Sequence, residues 1–167
     1  MKRIDRRDLD RLSAAAREAP RRRKNLNLHA ELEDPVQRLC NALEPGTYVR
    51  PHRHTGADRW ELFVALRGAA AILGFDDTGR IIERIELAAG GPVFGAEIAE
   101  ASWHSLAALV PGTVLFEIKR GPYTALTDKD FAAWAPSEGA REAAAWADWF
   151  ARARIGDRPP PEPGTPV

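Results

Sequence analysis

Residues 46–68 read GTYVRPHRHTGADRWELFVALRG and contain two histidines, His52 and His54, that are one residue apart. The stretches on either side of the loop are rich in β-branched and aromatic residues, which predicts two β-strands. Side chains at positions i and i+2 of a strand leave the same face, so both imidazoles are expected to point together. Such a pair can hydrogen-bond at the surface or bind a transition metal. A metal site that includes His52 and His54 is therefore our first hypothesis for this stretch.

The sequence on both sides continues the β pattern. Eight short apolar or β-branched segments alternate with turn signals such as Asp76-Asp77-Thr78-Gly79 and Pro111-Gly112, which predicts an antiparallel sandwich or a closed barrel. The hairpin at GFDDTGRII is the clearest of these turns. The predicted strands are 36–43, 47–54, 60–67, 69–76, 80–87, 92–98, 102–109 and 113–120.

The two ends of the chain have a different pattern. Leu9, Leu12 and Ala16 recur at helical spacing, which predicts a short amphipathic helix over 6–18. After Pro122 two further helices are expected, separated at Pro136, and the second would pack through Trp146, Trp149 and Phe150, next to Trp134 of the same aromatic cluster. We expect four regions: an N-terminal helix and connector (1–34), a β-barrel (35–123), a C-terminal helical extension (124–155) and a disordered tail (156–167).

Composition excludes several classes of protein. The 167 residues carry 24 basic and 24 acidic side chains, so the formal net charge is zero and gives no general attraction to nucleic acid or to an anionic membrane. Cys40 is the only cysteine, which excludes an intrachain disulfide and a thiolate cluster and leaves it as a small core residue. The charged N-terminus lacks the apolar stretch of a signal peptide, and we expect a cytoplasmic protein.

Two more side chains complete the metal hypothesis. Glu61 begins the strand that follows the histidine pair, and its carboxylate can supply an oxygen ligand. His104 lies in a later predicted strand. Three imidazoles and one carboxylate leave positions free on a five- or six-coordinate metal.

These residues resemble a known pattern. Gly46, His52, His54, Glu61 and Gly68 follow the order of the first signature of the cupin superfamily, and the position of His104 is similar to that of the histidine in its second signature. QRLCNALEPGTYVRPHRHTGADRWELF further resembles the small cupin-fold metalloproteins of the WbuC family. The resemblance extends over about residues 1–123.

The resemblance implies a double-stranded β-helix, or jelly roll, with one divalent metal ion (zinc, iron, manganese or nickel) bound by His52, His54, Glu61 and His104. Two features depart from the general cupin pattern. Six residues separate His54 from Glu61 where three or four are common, and AEASWH lacks the usual Pro-x-Gly turn. The WbuC-like proteins share the longer loop. Their name implies an association with surface-polysaccharide (O-antigen) genes.

Further residues are candidates to line the site. If residues 47–54 form a regular strand, Tyr48 and Arg50 share the face of the histidines. Tyr48 is then a candidate proton donor, and Arg50 either forms a structural salt bridge or binds an anionic group of a ligand. His29 lies in a predicted connector, where it is either exposed at the surface or bonded to backbone, or approaches the metal as part of a segment folded over the barrel.

Two functions fit the sequence. In the first, the protein is a metal-dependent enzyme, such as an isomerase, epimerase or dioxygenase, acting on a small polar and anionic substrate that could derive from a sugar. In the second, it is a non-catalytic binding module with a ligand-holding or structural metal.

The strand WELFVAL is apolar on both faces. One face therefore needs cover from the C-terminal helix or from a second subunit, and we expect a homodimer.

Overall fold

A computed structural model describes residues 1–161. Its strands form two antiparallel sheets that face each other, flanked by a helix near each end of the chain. The elements are α1 (Arg6–Glu18), β1 (Arg23–Asn27), β2 (Val36–Leu43), β3 (Glu61–Arg67), β4 (Ala69–Phe75), β5 (Ile81–Ala88), β6 (Gly95–Ile98), β7 (Trp103–Ala108), β8 (Thr113–Arg120), a 3-10 turn (Asp128–Asp130) and α2 (Ala143–Arg152).

The strand order defines the architecture. One sheet has five strands in the order β1-β2-β8-β3-β6, and the other has three in the order β5-β4-β7. Consecutive strands change sheets four times, between β3 and β4, β5 and β6, β6 and β7, and β7 and β8, so the chain winds around a common core. The predicted fold class, a mainly β jelly roll with a short N-terminal helix, is confirmed.

The core between the sheets is built from alternate residues of the strands. Phe63 and Leu115 of the five-stranded sheet pack with Ile72, Leu87 and Leu106 of the three-stranded sheet. All five are nearly excluded from solvent. Because side chains alternate across a strand, the same parity turns Glu61 and His104 toward the space between the sheets.

Helix α1 covers part of the outer face of the five-stranded sheet. Asp5 caps its first turn by accepting from the Asp8 backbone N–H, and the Asp8 carboxylate accepts from the Asp5 N–H. Its buried face packs through Leu12 and Ala16 on Val114 and on Cys40, which is fully buried as expected.

Helix α2 covers the outer face of the three-stranded sheet. Trp146, Trp149 and Phe150 pack against Leu73 and Phe75 of β4, which confirms that this aromatic stripe is a packing face. It does not cover β3, whose outward Leu62, Val64 and Leu66 stay partly or largely exposed. The first predicted C-terminal helix is wrong, since residues 123–142 contain only the 3-10 turn.

Three further predictions are corrected. Residues 23–27, assigned to a connector, form the edge strand β1 by pairing with β2. Residues 47–54 are extended but are not a ladder strand, since only His52 forms β-bridges there. The predicted disordered tail starts at 156, but its first two residues are bonded to β5. The Gly156 N–H donates to the carbonyl of Ile81, and the Asp157 carbonyl accepts from the Ile81 N–H. The remainder of that tail, 162–167, lies outside the described residues.

Gly68 forms the corner where the chain passes from one sheet to the other. Its φ is +70°, and a Cβ there would lie 2.6 Å from Thr113 Oγ1 and 2.9 Å from Thr113 Cα. Only glycine meets both conditions at this corner. Neither α-helix within residues 1–161 combines the length and the hydropathy needed to cross a membrane.

Candidate metal centre

The segment that carries the histidine pair is held by backbone hydrogen bonds from two sides. His52 and His104 exchange N–H to carbonyl bonds of 3.1 and 2.9 Å, and the N–H of Ala132 donates to the carbonyl of Pro51. The His54 carbonyl accepts from the Ala101 N–H. Because Pro51 has no N–H, the segment cannot form a continuous ladder, but these bonds fix both histidines beside β7.

The four predicted ligands converge on one point. The first residue of β3 is Glu61, and β7 carries His104 on its inward face. The Glu61 carboxylate lies 3.0 Å from His54 Nε2 and 3.1 Å from His104 Nε2. The ring centroids of His52 and His104 are 4.4 Å apart. Each residue offers one ligand atom, and all four atoms lie within 4.8 Å of one another.

The surroundings of the rings suit a metal site. His52 Nδ1 lies 2.9 Å from the carbonyl of Arg50, and His104 Nδ1 lies 2.9 Å from the carbonyl of Ser102. Metal-binding histidines typically donate one ring N–H to a carbonyl, which leaves the other nitrogen free to bind the ion. Three imidazoles and a carboxylate match the donor sets of zinc, iron, manganese and nickel. The cluster can therefore hold a divalent metal.

The protonation states of the cluster favour ligation. Burial and, after it, the neighbouring His104 ring lower the pKa of His52 to about 3, so its imidazole is neutral at pH 7. Burial alone would raise the pKa of Glu61, but hydrogen bonds from His104 and His54 and the charge of Lys119 hold that pKa well below its usual value. A neutral imidazole and an ionised carboxylate are the forms that bind a cation.

Sequence reasoning missed a charged network behind Glu61. Lys119 of β8 lies opposite Glu61, and its ammonium is 2.9 Å from Glu61 Oε1 and 2.7 Å from Glu117 Oε1. Asn41 of β2 donates to the other oxygen of Glu117. Burial raises the pKa of Glu117, whereas the two carboxylates outweigh burial and raise the pKa of Lys119. The sequence signal for this network is the alternation along β8: Glu117 and Lys119 are two and four residues after the inward-facing Leu115, so they face inward as well.

Five arginines line a cavity beside the cluster, and two of them, Arg50 and Arg59, lack within residues 1–161 the carboxylate partner that the other three have. Arg50 donates to the carbonyl of Ala132 at 3.0 Å, lies over the Phe131 ring and has a buried Nε without a hydrogen-bond partner. Arg59, which sequence reasoning did not single out, donates only to carbonyls, those of Arg120 and Pro122. Within residues 1–161 neither arginine forms a salt bridge with a carboxylate, so the structural salt bridge considered for Arg50 is absent there.

The structure does not bring Tyr48 to the cluster. Its hydroxyl donates to the carbonyl of Pro136 at 2.8 Å, and its ring stacks on Phe150 and meets the edge of Trp146. Burial raises the pKa of Tyr48. The expectation that Tyr48 shares the face of the histidines is corrected, because residues 47–54 are not a regular strand and the side-chain parity is lost.

His29 is buried and accepts a hydrogen bond at Nδ1 from the backbone N–H of Arg38, at 3.0 Å. The prediction that His29 bonds to backbone is confirmed, and the prediction of an exposed position is wrong. His29 also lines the larger of two cavities, and His52, Glu61 and His104 line that cavity as well. The cluster itself is formed without it.

The two cavities share His52 and Glu61 in their walls. The larger has a volume of about 710 Å³ and extends from the cluster along the inner face of the five-stranded sheet to β1. The smaller has a volume of about 440 Å³, with Arg50 and Arg59 in its wall. These volumes are in the range that binds small molecules.

Several solved structures are similar to part of this chain, and one of them is described as a cupin superfamily protein. A cupin superfamily protein from Desulfitobacterium hafniense is 18% identical, with a TM-score of 0.46 over 59% of this chain and 76% of the other. KdgF from Halomonas sp. is 15% identical, with a TM-score of 0.48 over 64% and 85%. Bacillus subtilis oxalate decarboxylase, described with Mn(II) centres, is 17% identical, with a TM-score of 0.45 over 62% and 26%. Similarity at this level concerns the fold alone.

Family membership comes from the sequence. Residues 4–87, half of the chain, match the model of the family described as "Domain of unknown function (DUF6016)", and the chain belongs to this family. No curated protein has a matching sequence.

Proposed function

We propose that this protein binds one divalent metal ion through His52, His54, Glu61 and His104 and uses it in the chemistry of a small, polar, anionic molecule. The observation that carries the proposal is the position of Arg50, which has no acidic partner among residues 1–161, in the wall of the smaller cavity together with His52 and His54. A guanidinium matches the geometry of a carboxylate or phosphate.

The chain's own residues divide the work in this proposal. Arg50 and Arg59 bind the anionic group and orient the molecule toward the cluster. When bound, the metal would supply a Lewis acid that polarises a carbonyl or hydroxyl group. Lys119 holds one oxygen of Glu61, and Lys119 and the buried Glu117 beside it are the candidates outside the ligand set to exchange a proton.

The experiment measures binding of glycolate, a two-carbon hydroxy acid, to the metal-loaded protein by calorimetry. We expect Arg50→Ala to weaken glycolate binding by about tenfold or more, because a charged hydrogen bond is lost. The metal content of this variant should be unchanged. Arg7→Ala, an exposed arginine on α1, is the matched control and should bind as the wild type does. Equal glycolate affinity in all three proteins would contradict the proposal.

A non-catalytic binding module is the second candidate. It is favoured by the placement of Tyr48, since the expected proton donor is bonded to Pro136 within an aromatic cluster. Four protein ligands can also close a tetrahedral site, as in structural zinc centres. Spectroscopy on the cobalt-substituted protein would separate the two candidates. An increase in coordination number or a ligand exchange when glycolate is added supports chemistry at the metal, and an unchanged tetrahedral spectrum supports the binding module.

From the resemblance to WbuC-like proteins we further propose that the substrate derives from a sugar of surface-polysaccharide metabolism, and we propose separately that the protein is cytoplasmic. We also propose a homodimer. It is supported by the outer face of β3, where Leu62 and Val64 lie beside Phe116 and Ile118 of β8 and none of them is fully buried. Light scattering at micromolar concentration should give twice the mass of one chain, and a monomeric mass would contradict the dimer.

A further inference from the structure

The larger cavity exceeds what a metal ion and a small anion need. It begins at His52, Glu61 and His104 and continues to the edge strand β1, with a volume of about 710 Å³. Pockets of roughly 300–1,000 Å³ hold whole drug-sized molecules. A two-carbon anion at the cluster would leave most of this space unused.

The far wall of this cavity is polar and its charges are balanced. Asn25 and Asn27 of β1 and Asn41 of β2 present amides, which both donate and accept hydrogen bonds. Most charges on the same wall are paired: Lys119 lies between Glu61 and Glu117. Arg21 and Arg23 both pair with Glu138. Lys24 of β1 is exposed, and its strand parity, which it shares with the paired Ala42, turns its side chain to the outer face of the sheet. The wall therefore suits a neutral group with hydroxyls better than a second anion.

His29 also belongs to the residues that line this wall. Only 6% of the residue is exposed, Nδ1 accepts from the Arg38 N–H, and Nε2 has almost no accessible surface. The asparagine amides, rather than His29, are therefore the groups that would contact a ligand here.

We propose that the larger cavity is a subsite for a neutral, hydroxyl-bearing tail, and that the ligand is an elongated polyhydroxy carboxylate whose acid group is bound at the metal cluster and Arg50. This inference rests on the proposed function, because it assigns the acid group to that site. It names the substrate class by chemistry: one anionic end and a polar, uncharged chain of several carbons.

The test compares two probes with the same acid end. Glycolate and gluconate both carry a 2-hydroxycarboxylate, and only gluconate has a further polyhydroxylated chain. Calorimetry on the metal-loaded protein should show gluconate binding at least about tenfold more tightly, the equivalent of one or two additional hydrogen bonds. Metal analysis after each titration verifies that the ion has stayed in the protein.

Variants of the far wall locate the effect. Asn27→Leu and Asn25→Leu should each reduce the preference for gluconate by at least about threefold and leave glycolate binding unchanged. Both asparagines line the cavity from β1 and are exposed, so both variants are expected to fold. Glu97→Gln, on the exposed outer side of β6, is the control and should keep the full preference.

The outcomes separate this inference from the proposed function. Equal affinities for the two acids in the wild type, or a gluconate preference that survives both asparagine variants, would overturn the subsite and leave the proposed function intact. Failure of both acids to bind would overturn the proposed function and the subsite together.

Discussion

The two sheets of this protein differ in what they present to their shared interior. The three-stranded sheet contributes mainly aliphatic side chains, such as Ile72 and Leu106, and its outer face is sealed by α2. The five-stranded sheet begins with an apolar zone around Phe63 and Leu115 and continues toward the cluster as a row of charged and amide groups. That row consists of Glu61, Lys119, Glu117 and Asn41.

This difference assigns stability mainly to the layer under α2 and function to the polar row of the five-stranded sheet. The aromatic layer under α2 is dense and apolar, and it stabilises the fold. The polar row needs paired charges to be tolerated in the interior, which is typical of groups retained for binding or catalysis rather than for stability. His104 is the one side chain of the three-stranded sheet that joins the cluster.

The largest effect on stability should come from the aromatic layer. Phe150 is fully buried between Tyr48, Phe75 and Trp149. Phe150→Ala should lower the free energy of unfolding by about 4 kcal/mol, because a large cavity forms. Urea denaturation measures this change. Leu66→Ala, on the exposed face of β3, should cost less than about 1 kcal/mol, and equal losses would contradict the assignment of stability to the α2 layer.

The charged row should be sensitive to the loss of its cation. Lys119→Met leaves Glu61 and Glu117 buried without the ammonium between them, and we expect a loss of about 3 kcal/mol at neutral pH. Adding Glu117→Gln to this variant should restore part of the stability, because one buried charge is removed. Denaturation of the single and double variants forms a thermodynamic cycle. If the two substitutions are simply additive, the row does not act as a network.

Acid should destabilise the metal-free protein through the cluster. The pKa of His52 falls from 6.5 to about 3 on folding, so between these values the unfolded chain binds a proton that the native chain does not. Glu61, whose pKa is also lowered, adds to the loss below its ordinary value of 4.5, whereas Glu117, whose pKa is raised, opposes it. His54, His104 and Lys119 are the other ionisable groups that face this cluster.

The free energy of unfolding should therefore decrease on the order of 2 kcal/mol from pH 6.5 to pH 5. Chemical denaturation of the metal-free protein at several pH values measures it. His52→Phe should flatten the profile in this range. A profile that is unchanged in the variant would show that His52 does not cause the acid sensitivity.

A smaller effect should appear at the junction between the two sheets. Gly68→Ala combines a positive φ with the clash against Thr113, whereas Gly90→Ala has a φ of +78° and open space around its Cβ. Both variants lose about 1 kcal/mol through backbone strain. Gly68→Ala should lose at least about 1 kcal/mol more. Equal thermal unfolding of the two variants would show that the corner relaxes without cost.

Local patterns predicted most of the fold. The bounds of β2 and β8 were predicted to the residue, because each is an apolar run between clear turn signals. The edge strand β1 was missed, since RKNLN has no apolar alternation and becomes a strand only by pairing with β2. The histidine segment was predicted as a strand from its β-branched and aromatic residues, and Pro51 together with tertiary contacts decided otherwise.

Local patterns also predicted part of the candidate site. The spacing of His52, His54 and Glu61 is a local signal, and the four ligands converge as expected. The contribution of Lys119 depends on the register between β3 and β8, which places it opposite Glu61. Arg59 depends on the path of the loop before β3. The parity of β8 indicates that Lys119 points inward, but its pairing with Glu61 and the place of Arg59 are decided by tertiary structure.

The most direct test of the account is the metal content of the protein. Wild-type protein purified without added metal, and again after equilibration with zinc, manganese or nickel followed by desalting, should contain one ion per chain by elemental analysis. His52→Ala, Glu61→Ala and His104→Ala should each lose most of it. His29→Gln replaces the one histidine outside the cluster and should retain one ion per chain. A wild type that binds no ion, or a cluster variant that binds as much as His29→Gln, would contradict the metal site.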